Sequence, residues 1–275
     1  MSETRLTPEK ITSLKGQTKL TCLTAYTAPM AQLLAPHVDM LLVGDSVGMV
    51  LHGFDNTLDV TMDMMVMHGA AVMRGLDAAQ MQSFVIVDMP YGSYEDNAQD
   101  AVRNAKRLMD ETGAHAVKLE GGVDLSAIIG QVVAAGVPVM GHIGLQPQSV
   151  IKEGGYKIKG KDQAGIEKLI ADAKAVEAAG AFALVLEGTL PEAARAVTQA
   201  IDIPVIGIGA AVECDGQVLV CDDMLGMHHG HVPKFVKQYT KLAPEIERAA
   251  QNFSDEVRSG AFPSEDYVYG VKKAG

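Results

Sequence analysis

The sequence predicts an α/β protein, a single (β/α)8 TIM barrel with a parallel eight-stranded core. Three observations predict it. Eight short apolar runs recur along the chain, and helical patterns separate them. The chain has 275 residues, 48% of them hydrophobic, a common length for one such barrel. Glycine is frequent at 28 residues, aromatic residues make up 5%, and tryptophan is absent, which suits tight strand-to-helix turns better than an aromatic-rich β-sandwich. Strands alternating with helices form right-handed βαβ units and therefore a parallel sheet.

The first run is KLTCLTAY (19–26). The second, DMLLVGDS (39–46), is apolar from Met40 to Val43, as a strand buried on both faces requires. It breaks at Gly44 and sets Asp45 and Ser46 at its end. A long connection follows, VGMVLHGFDNTLDVTM (47–62). The third run, SFVIVDMP (83–90), ends in Asp88 just before Pro90. The next segment, AQDAVRNAKRLMDETGA, repeats apolar residues every three or four positions and closes on Gly, the pattern of a helix with a glycine cap. The fourth run, HAVKLEGG (115–122), carries Lys118 and Glu120 two apart, hence on one face of a strand. The fifth, VPVMGHIG (137–144), ends in His142. A second long connection, LQPQSVIKEGGYKIKGKD (145–162), and the helical GIEKLIADAKAVEAAGA lead to the sixth, FALVLEGT (182–189), which ends in Glu187. The seventh, IPVIGIGA (203–210), ends in small residues that let a ligand approach the backbone, and the eighth is GQVLVCDD (216–223). From about residue 235 onward the chain reads as helices packed on the barrel or on a neighbouring subunit. No Pro/Ser-rich tract, low-complexity segment or charge block divides it, so one domain over 1–275 is expected.

Composition excludes several roles. The formal net charge is −11 and there is no Lys/Arg run, so a sequence-independent nucleic-acid binder is not expected. No apolar run reaches the ~20 residues of a membrane span. Cys22, Cys214 and Cys221 show no CxxC spacing, and the polar N-terminal segment has no signal-like apolar core. Free thiols in a reducing, cytoplasmic setting follow as the expectation.

Barrels of this kind hold their chemistry at the C-terminal ends of the strands. Asp45, Ser46, Asp88, Lys118, Glu120, His142 and Glu187 all fall there. Each has a plain structural reading. An Asp or Ser after a strand often caps the next helix, Lys118 can simply neutralise Glu120, and a lone histidine is more often structural. Capping does not require four acids and a lysine to meet on one rim, and unpaired charge there is costly unless a cation binds. Hard oxygen donors without a Cys or His cluster point to Mg²⁺ or a similar ion. Asp45, Asp88 and Glu120 come from adjacent strands and can surround one ion. Lys118 is then available to a substrate carboxylate. Glu187, from a strand farther round, can approach as a base. Metal, cation and base together suit enolisation of an α-keto acid and carbon–carbon bond chemistry.

LLVGDSVGMVLHGFDNTLDVT, VKLEGG, GHIGLQPQSV, GGYKIKG, PVIGIGA, DGQVLV and HVPKF together resemble the ketopantoate (3-methyl-2-oxobutanoate) hydroxymethyltransferase family from about residue 8 to about 265. The resemblance implies a (β/α)8 barrel that moves a hydroxymethyl group from 5,10-methylenetetrahydrofolate to 3-methyl-2-oxobutanoate through a Mg-stabilised enolate, giving 2-dehydropantoate for coenzyme A biosynthesis. It implies one Mg²⁺ per subunit at Asp45, Asp88 and Glu120, and keto acid contacts from Asp45, Ser46, Asp88 and Lys118. It also implies Glu187 as proton acceptor, His142 as a further active-site residue, and a homodecamer. Thr27, Asp59 and Ala211 depart from the pattern, where Asp, Pro and Gly are usual. None of the three is a proposed metal or base position.

Three other readings are weighed against this one. A Mg²⁺-dependent lyase or mutase of the phosphoenolpyruvate mutase and isocitrate lyase type shares the barrel and the enolate logic, but its reactive lid cysteine has no counterpart motif here. A phosphate-binding barrel would use GIGAA as a grip, against the repulsion of an acidic rim. A catalytically silent scaffold would have no need of the intact acid and lysine set.

Overall fold

All eight apolar runs form strands: β1 (Leu20–Thr24), β2 (Met40–Val43), β3 (Phe84–Asp88), β4 (Ala116–Glu120), β5 (Val139–Gly144), β6 (Ala183–Glu187), β7 (Val205–Ile208) and β8 (Gly216–Leu219). Each pairs in parallel with the next, and β8 closes on β1. This structure, a computed structural model, describes residues 6–80, 82–227, 230 and 232–270. The start of the N-terminal segment and His231 of HVPKF lie outside the described residues.

The helices are α1 (Pro8–Ser13), α2 (Ala28–Leu34), α3 (Val47–Val50), α4 (Met62–Ala79), α5 (Ala98–Thr112), α6 (Ser126–Ala134), α7 (Val150–Glu153), α8 (Gln163–Ala178), α9 (Pro191–Ala200), α10 (Cys221–Leu225) and α11 (Leu242–Ser259). Several begin at a side-chain cap that the sequence announces. Thr61, Asn97 and Asp162 accept from the backbone N–H three residues on, at α4, α5 and α8. Thr27 does the same for Met30 at the start of α2. A threonine there keeps the cap that an aspartate would make, so this departure from the family pattern leaves the local geometry intact. The two long connections are not wholly irregular. The first opens with α3, and the second holds a 3₁₀ turn at Pro147–Ser149 and then α7. That second connection returns beside β6, where Lys159 bridges Thr189 in parallel.

Strand alternation sorts the core into two layers. Leu41, Val43, Val85, Val87, Val117, Leu119, Leu184 and Leu186 belong to the larger cluster, which packs with helix residues such as Val72, Ala105 and Val176. Met40, Leu42, Phe84, Ile86, Ala116, Met140, Ala183 and Val185 belong to a second, inner cluster with Ile11 of α1. The inner cluster fills the barrel, as expected of a closed eight-stranded sheet.

The chain divides into two compact units, Met1–Cys221 and Asp222–Gly275. The first holds the barrel. The second contains α11 and a 3₁₀ turn at Glu265–Tyr267. Within it, Gly226 O accepts from Ala243 N–H and Met224 O from Tyr239 N–H. No helix among the described residues is long and apolar enough to cross a membrane.

Candidate active site

The inner face of the barrel changes character along each strand. On β3 it runs Phe84, Ile86, Asp88; on β4, Ala116, Lys118, Glu120; on β5, Met140, His142; on β6, Ala183, Val185, Glu187. Lower layers are apolar and the last layer is ionic. The parallel register then sets Asp88 beside Lys118, Glu120 beside His142, and Gly144 beside Glu187. Gly144 is needed at that crossing. Its φ is +93°, and a Cβ there would lie 2.3 Å from the Glu187 carbonyl oxygen. Asp45 and Ser46 sit just past β2, and the Asp45 N–H donates to Asp88 Oδ2 at 3.1 Å.

The structure brings the seven residues singled out in the sequence to one end of the barrel. Lys118 Nζ lies 3.2 Å from Asp88 Oδ1, 3.9 Å from Glu120 Oε1 and 3.1 Å from His142 Nδ1. His142 Nδ1 lies 3.2 Å from Glu120 Oε1, and its Nε2 lies 3.3 Å from Glu187 Oε2. Asp45, Asp88, Lys118, Glu120 and His142 are buried. Glu187 is the acid that opens outward: its side chain is 17% exposed, against 4% for His142. Ser46 Oγ shares a 2.7 Å hydrogen bond with Tyr26 Oη.

Charge in this dry layer is unbalanced. Burial, then repulsion from Asp88 and Glu120, push the pKa of Asp45 up to about 8 despite Lys118 and Gln148. Asp88 is also raised, by burial first, against the pull of Lys118. Burial opposes ionisation of Glu120 too, but His142 and Lys118 outweigh it and its pKa falls below the usual carboxylate value. Burial and Lys118 press His142 down, yet Glu120 and Glu187 prevail and raise it to about 9. A protonated His142 lies between two carboxylates, Nδ1 toward Glu120 and Nε2 toward Glu187, while Lys118 pairs with Asp88. Burial works against the Lys118 charge, but Asp88, Glu120 and Asp45 raise its pKa above the ordinary lysine value.

These residues fit a hard divalent cation. Asp88 Oδ1 is buried without a hydrogen bond, its contact with Lys118 being an ion pair rather than a directed bond. Asp45 holds a proton near neutrality unless more positive charge arrives. Among the described residues, no three His, Cys, Asp or Glu side chains are already drawn together as a metal cage. Mg²⁺ keeps several waters and takes one or two carboxylates plus substrate oxygens, so acids spread along one rim suit it better than a cage would. A cleft of about 430 Å³ also lies among Leu58–Met62, Pro90–Ser93 and Asn104. None of the seven site residues lines it, so it is not the place where those residues would meet a substrate.

Sequence reasoning missed Gln148 and Tyr94. Gln148 Nε2 donates to Asp45 Oδ2 at 2.8 Å, and its backbone N–H donates to Glu120 Oε2 at 3.1 Å. Tyr94 Oη donates to Gln148 Oε1 at 2.5 Å and accepts from the Glu120 N–H at 3.1 Å. It also missed Tyr26 and His68. His68 Nδ1 bonds the Tyr26 carbonyl at 2.8 Å, and His52 Nε2 meets His68 Nε2 at 3.0 Å.

Comparison with known proteins agrees with the resemblance in the motifs. A family model described as ketopantoate hydroxymethyltransferase matches residues 5–265. A 3-methyl-2-oxobutanoate hydroxymethyltransferase of Mesorhizobium japonicum is 55% identical over 273 residues, covering 99% of this chain and 94% of the relative. One from Bordetella petrii is 53% identical over 271 residues, covering 98% and 97%. Among solved structures, phosphoenolpyruvate phosphomutase from Streptomyces platensis subsp. rosaceus superposes with a TM-score of 0.63 at 16% identity, covering 96% of this chain and 92% of that one. At that identity the match speaks for the fold alone. The family match over residues 5–265, and relatives that share more than half of their positions with this chain along nearly its whole length, show that it belongs to the ketopantoate hydroxymethyltransferase family.

Proposed function

We propose that the protein transfers a hydroxymethyl group from 5,10-methylenetetrahydrofolate to 3-methyl-2-oxobutanoate, giving 2-dehydropantoate. The observation that carries this reading is the ionic layer over an apolar barrel, with Glu187 at its open edge, in a chain whose relatives bear that enzyme's name.

Asp45, Asp88 and Glu120 are the residues that would hold Mg²⁺. Bound there, the ion would place positive charge at the keto oxygen and so acidify the adjacent C–H. The rest falls to the side chains. Lys118, buried and cationic, binds the substrate carboxylate. Ser46 adds a hydroxyl on the β2 side and Asp88 a hydrogen-bond acceptor. Glu187 reaches the C3 hydrogen from the β6 side and takes its proton. His142, 3.3 Å behind it, fixes the carboxylate in place. The donor methylene first opens by breaking one of its two C–N bonds, leaving an iminium carbon, and the C3 carbanion attacks that carbon to form the C–C bond as the C=N pair returns to nitrogen. Water then displaces the folate at the same carbon: its oxygen becomes the new hydroxyl, the second C–N bond breaks, and the two folate nitrogens end with the C3 proton and one water proton as tetrahydrofolate leaves.

The three cysteines are buried and form no disulfide among the described residues; the cytoplasmic setting is part of the same reading. Assembly as a homodecamer is part of the same reading and rests on the family.

A steady-state assay with 3-methyl-2-oxobutanoate and methylenetetrahydrofolate tests the function. We expect turnover that depends on both substrates and disappears when Mg²⁺ is chelated. Cleavage of a 2-hydroxy diacid with no folate-dependent turnover would favour the lyase and mutase reading instead.

A further inference from the structure

We propose that Gln148, backed by Tyr94, is a positioning residue that sets Asp45 and Glu120 for the divalent cation. This rests on reading those two acids as cation ligands.

Gln148 stands in the 3₁₀ turn after β5, on a different element from either acid, yet it is buried against both. Its amide Nε2 donates to Asp45 Oδ2 at 2.8 Å and to the Met89 carbonyl at 2.9 Å. Its backbone N–H holds Glu120 Oε2. One residue therefore ties down the ends of β2, β3 and β4 together.

Donor accounting fixes how the amide points. An amide nitrogen has two protons, and both meet acceptors here. Oε1 must then face a donor, and Tyr94 Oη at 2.5 Å is that donor. Tyr94 in turn accepts from the Glu120 N–H, so the chain ends on the same acid that the Gln148 backbone holds. A flipped amide would set Oε1 against the Met89 carbonyl, two acceptors with no proton between them. The orientation is forced by its neighbours.

The arrangement leaves one Asp45 oxygen available and fixes which way each Glu120 oxygen faces. Gln148 occupies Asp45 Oδ2, and no hydrogen bond among the described residues engages Asp45 Oδ1. Glu120 Oε2 faces the turn while Oε1 faces His142. A neutral amide does this without adding charge. A glutamate at this position would add a further carboxylate to a layer already short of positive charge. An apolar residue of the same size would leave Asp45 Oδ2 without its side-chain donor and the Tyr94 hydroxyl proton without its 2.5 Å acceptor. Outer-shell partners of metal-binding carboxylates commonly change affinity by about 10–100-fold.

Calorimetric titration with Mg²⁺, and with Mn²⁺ followed by electron paramagnetic resonance, tests this on the full chain. We expect Gln148→Met to weaken binding about 10–100-fold. Tyr94→Phe should act in the same direction but less. The double variant should lose less than the sum of the two single losses, because Tyr94 acts on Asp45 through Gln148. At saturating metal, kcat should largely recover. A folded Gln148→Met protein that binds Mg²⁺ like the parent overturns the proposal, and so does a double variant whose losses simply add. Should Gln148→Met fail to fold, unchanged affinity in Tyr94→Phe overturns it equally. If the parent binds no Mg²⁺, or Asp45→Ala binds it as the parent does, the ligand reading itself fails and takes the proposal with it.

Discussion

Glu187→Gln should leave metal and keto acid binding near the parent level while slowing exchange of the C3 hydrogen with solvent by about 10²–10⁴-fold, the usual contribution of a general base. The amide keeps the size of the side chain and its place at the end of β6, but has no lone pair basic enough to take the proton. Glu187 is singled out by where it sits. Lys118, Glu120 and His142 face one another in a closed layer, while Glu187 touches that layer only through His142 and is partly exposed. A base must reach a substrate that enters from outside, and of these carboxylates Glu187 is the more open. Exchange measured by NMR in deuterated buffer, with Mg²⁺ and keto acid but no folate, isolates this step. Parent-like exchange in the variant would assign the base elsewhere.

Asp88→Ala should raise the Mg²⁺ concentration needed for half-maximal activity by about 100-fold or more, beyond the 10–100-fold typical of outer-shell changes. Two losses combine in it. Asp88 Oδ1 is a buried carboxylate oxygen without a hydrogen bond, and so in need of a cation. Asp88 Oδ2 accepts from the Asp45 N–H, so removing it also releases the turn that carries Asp45. Lys118 loses its 3.2 Å partner at the same time, and its ammonium then competes with the metal for Glu120. A metal titration that matches the parent would remove Asp88 from the cation site.

The barrel was legible because its signal is local and repetitive. Each strand is an apolar run of four to six residues, and each run ends where the chain must turn. The site was legible for a related reason. Parallel strands place their C-terminal ends at one rim, so Asp88, Lys118, Glu120, His142 and Glu187 are brought together by topology before any tertiary detail is known. Strand alternation even gives their direction, since Lys118 and Glu120 continue the inner row that Ala116 begins.

Gln148 and Tyr94 were not legible, and the cause is physical. Both stand on connections, Tyr94 after β3 and Gln148 after β5, where no periodicity fixes the path of the chain. The GHIGLQPQSV motif draws the eye to His142, but nothing in its spacing shows that the Pro147–Ser149 turn folds back over β2 and β4. A long connection next to an acidic rim was a general hint that some of its residues would turn inward. Which residue did so depended on the turn. The short helices α3 and α7 escaped notice for the same reason, since four residues are too few to display a helical period.

The central claim is that acids from three neighbouring strands hold one cation above the apolar core. Anomalous diffraction from crystals soaked in Mn²⁺ and 3-methyl-2-oxobutanoate tests it most directly. We expect a single strong manganese peak per subunit within coordinating distance of Asp45, Asp88 and Glu120, with the keto acid between that peak and Glu187. A fully occupied keto acid with no metal density among those three side chains, or a manganese peak bound elsewhere in the chain, would contradict it.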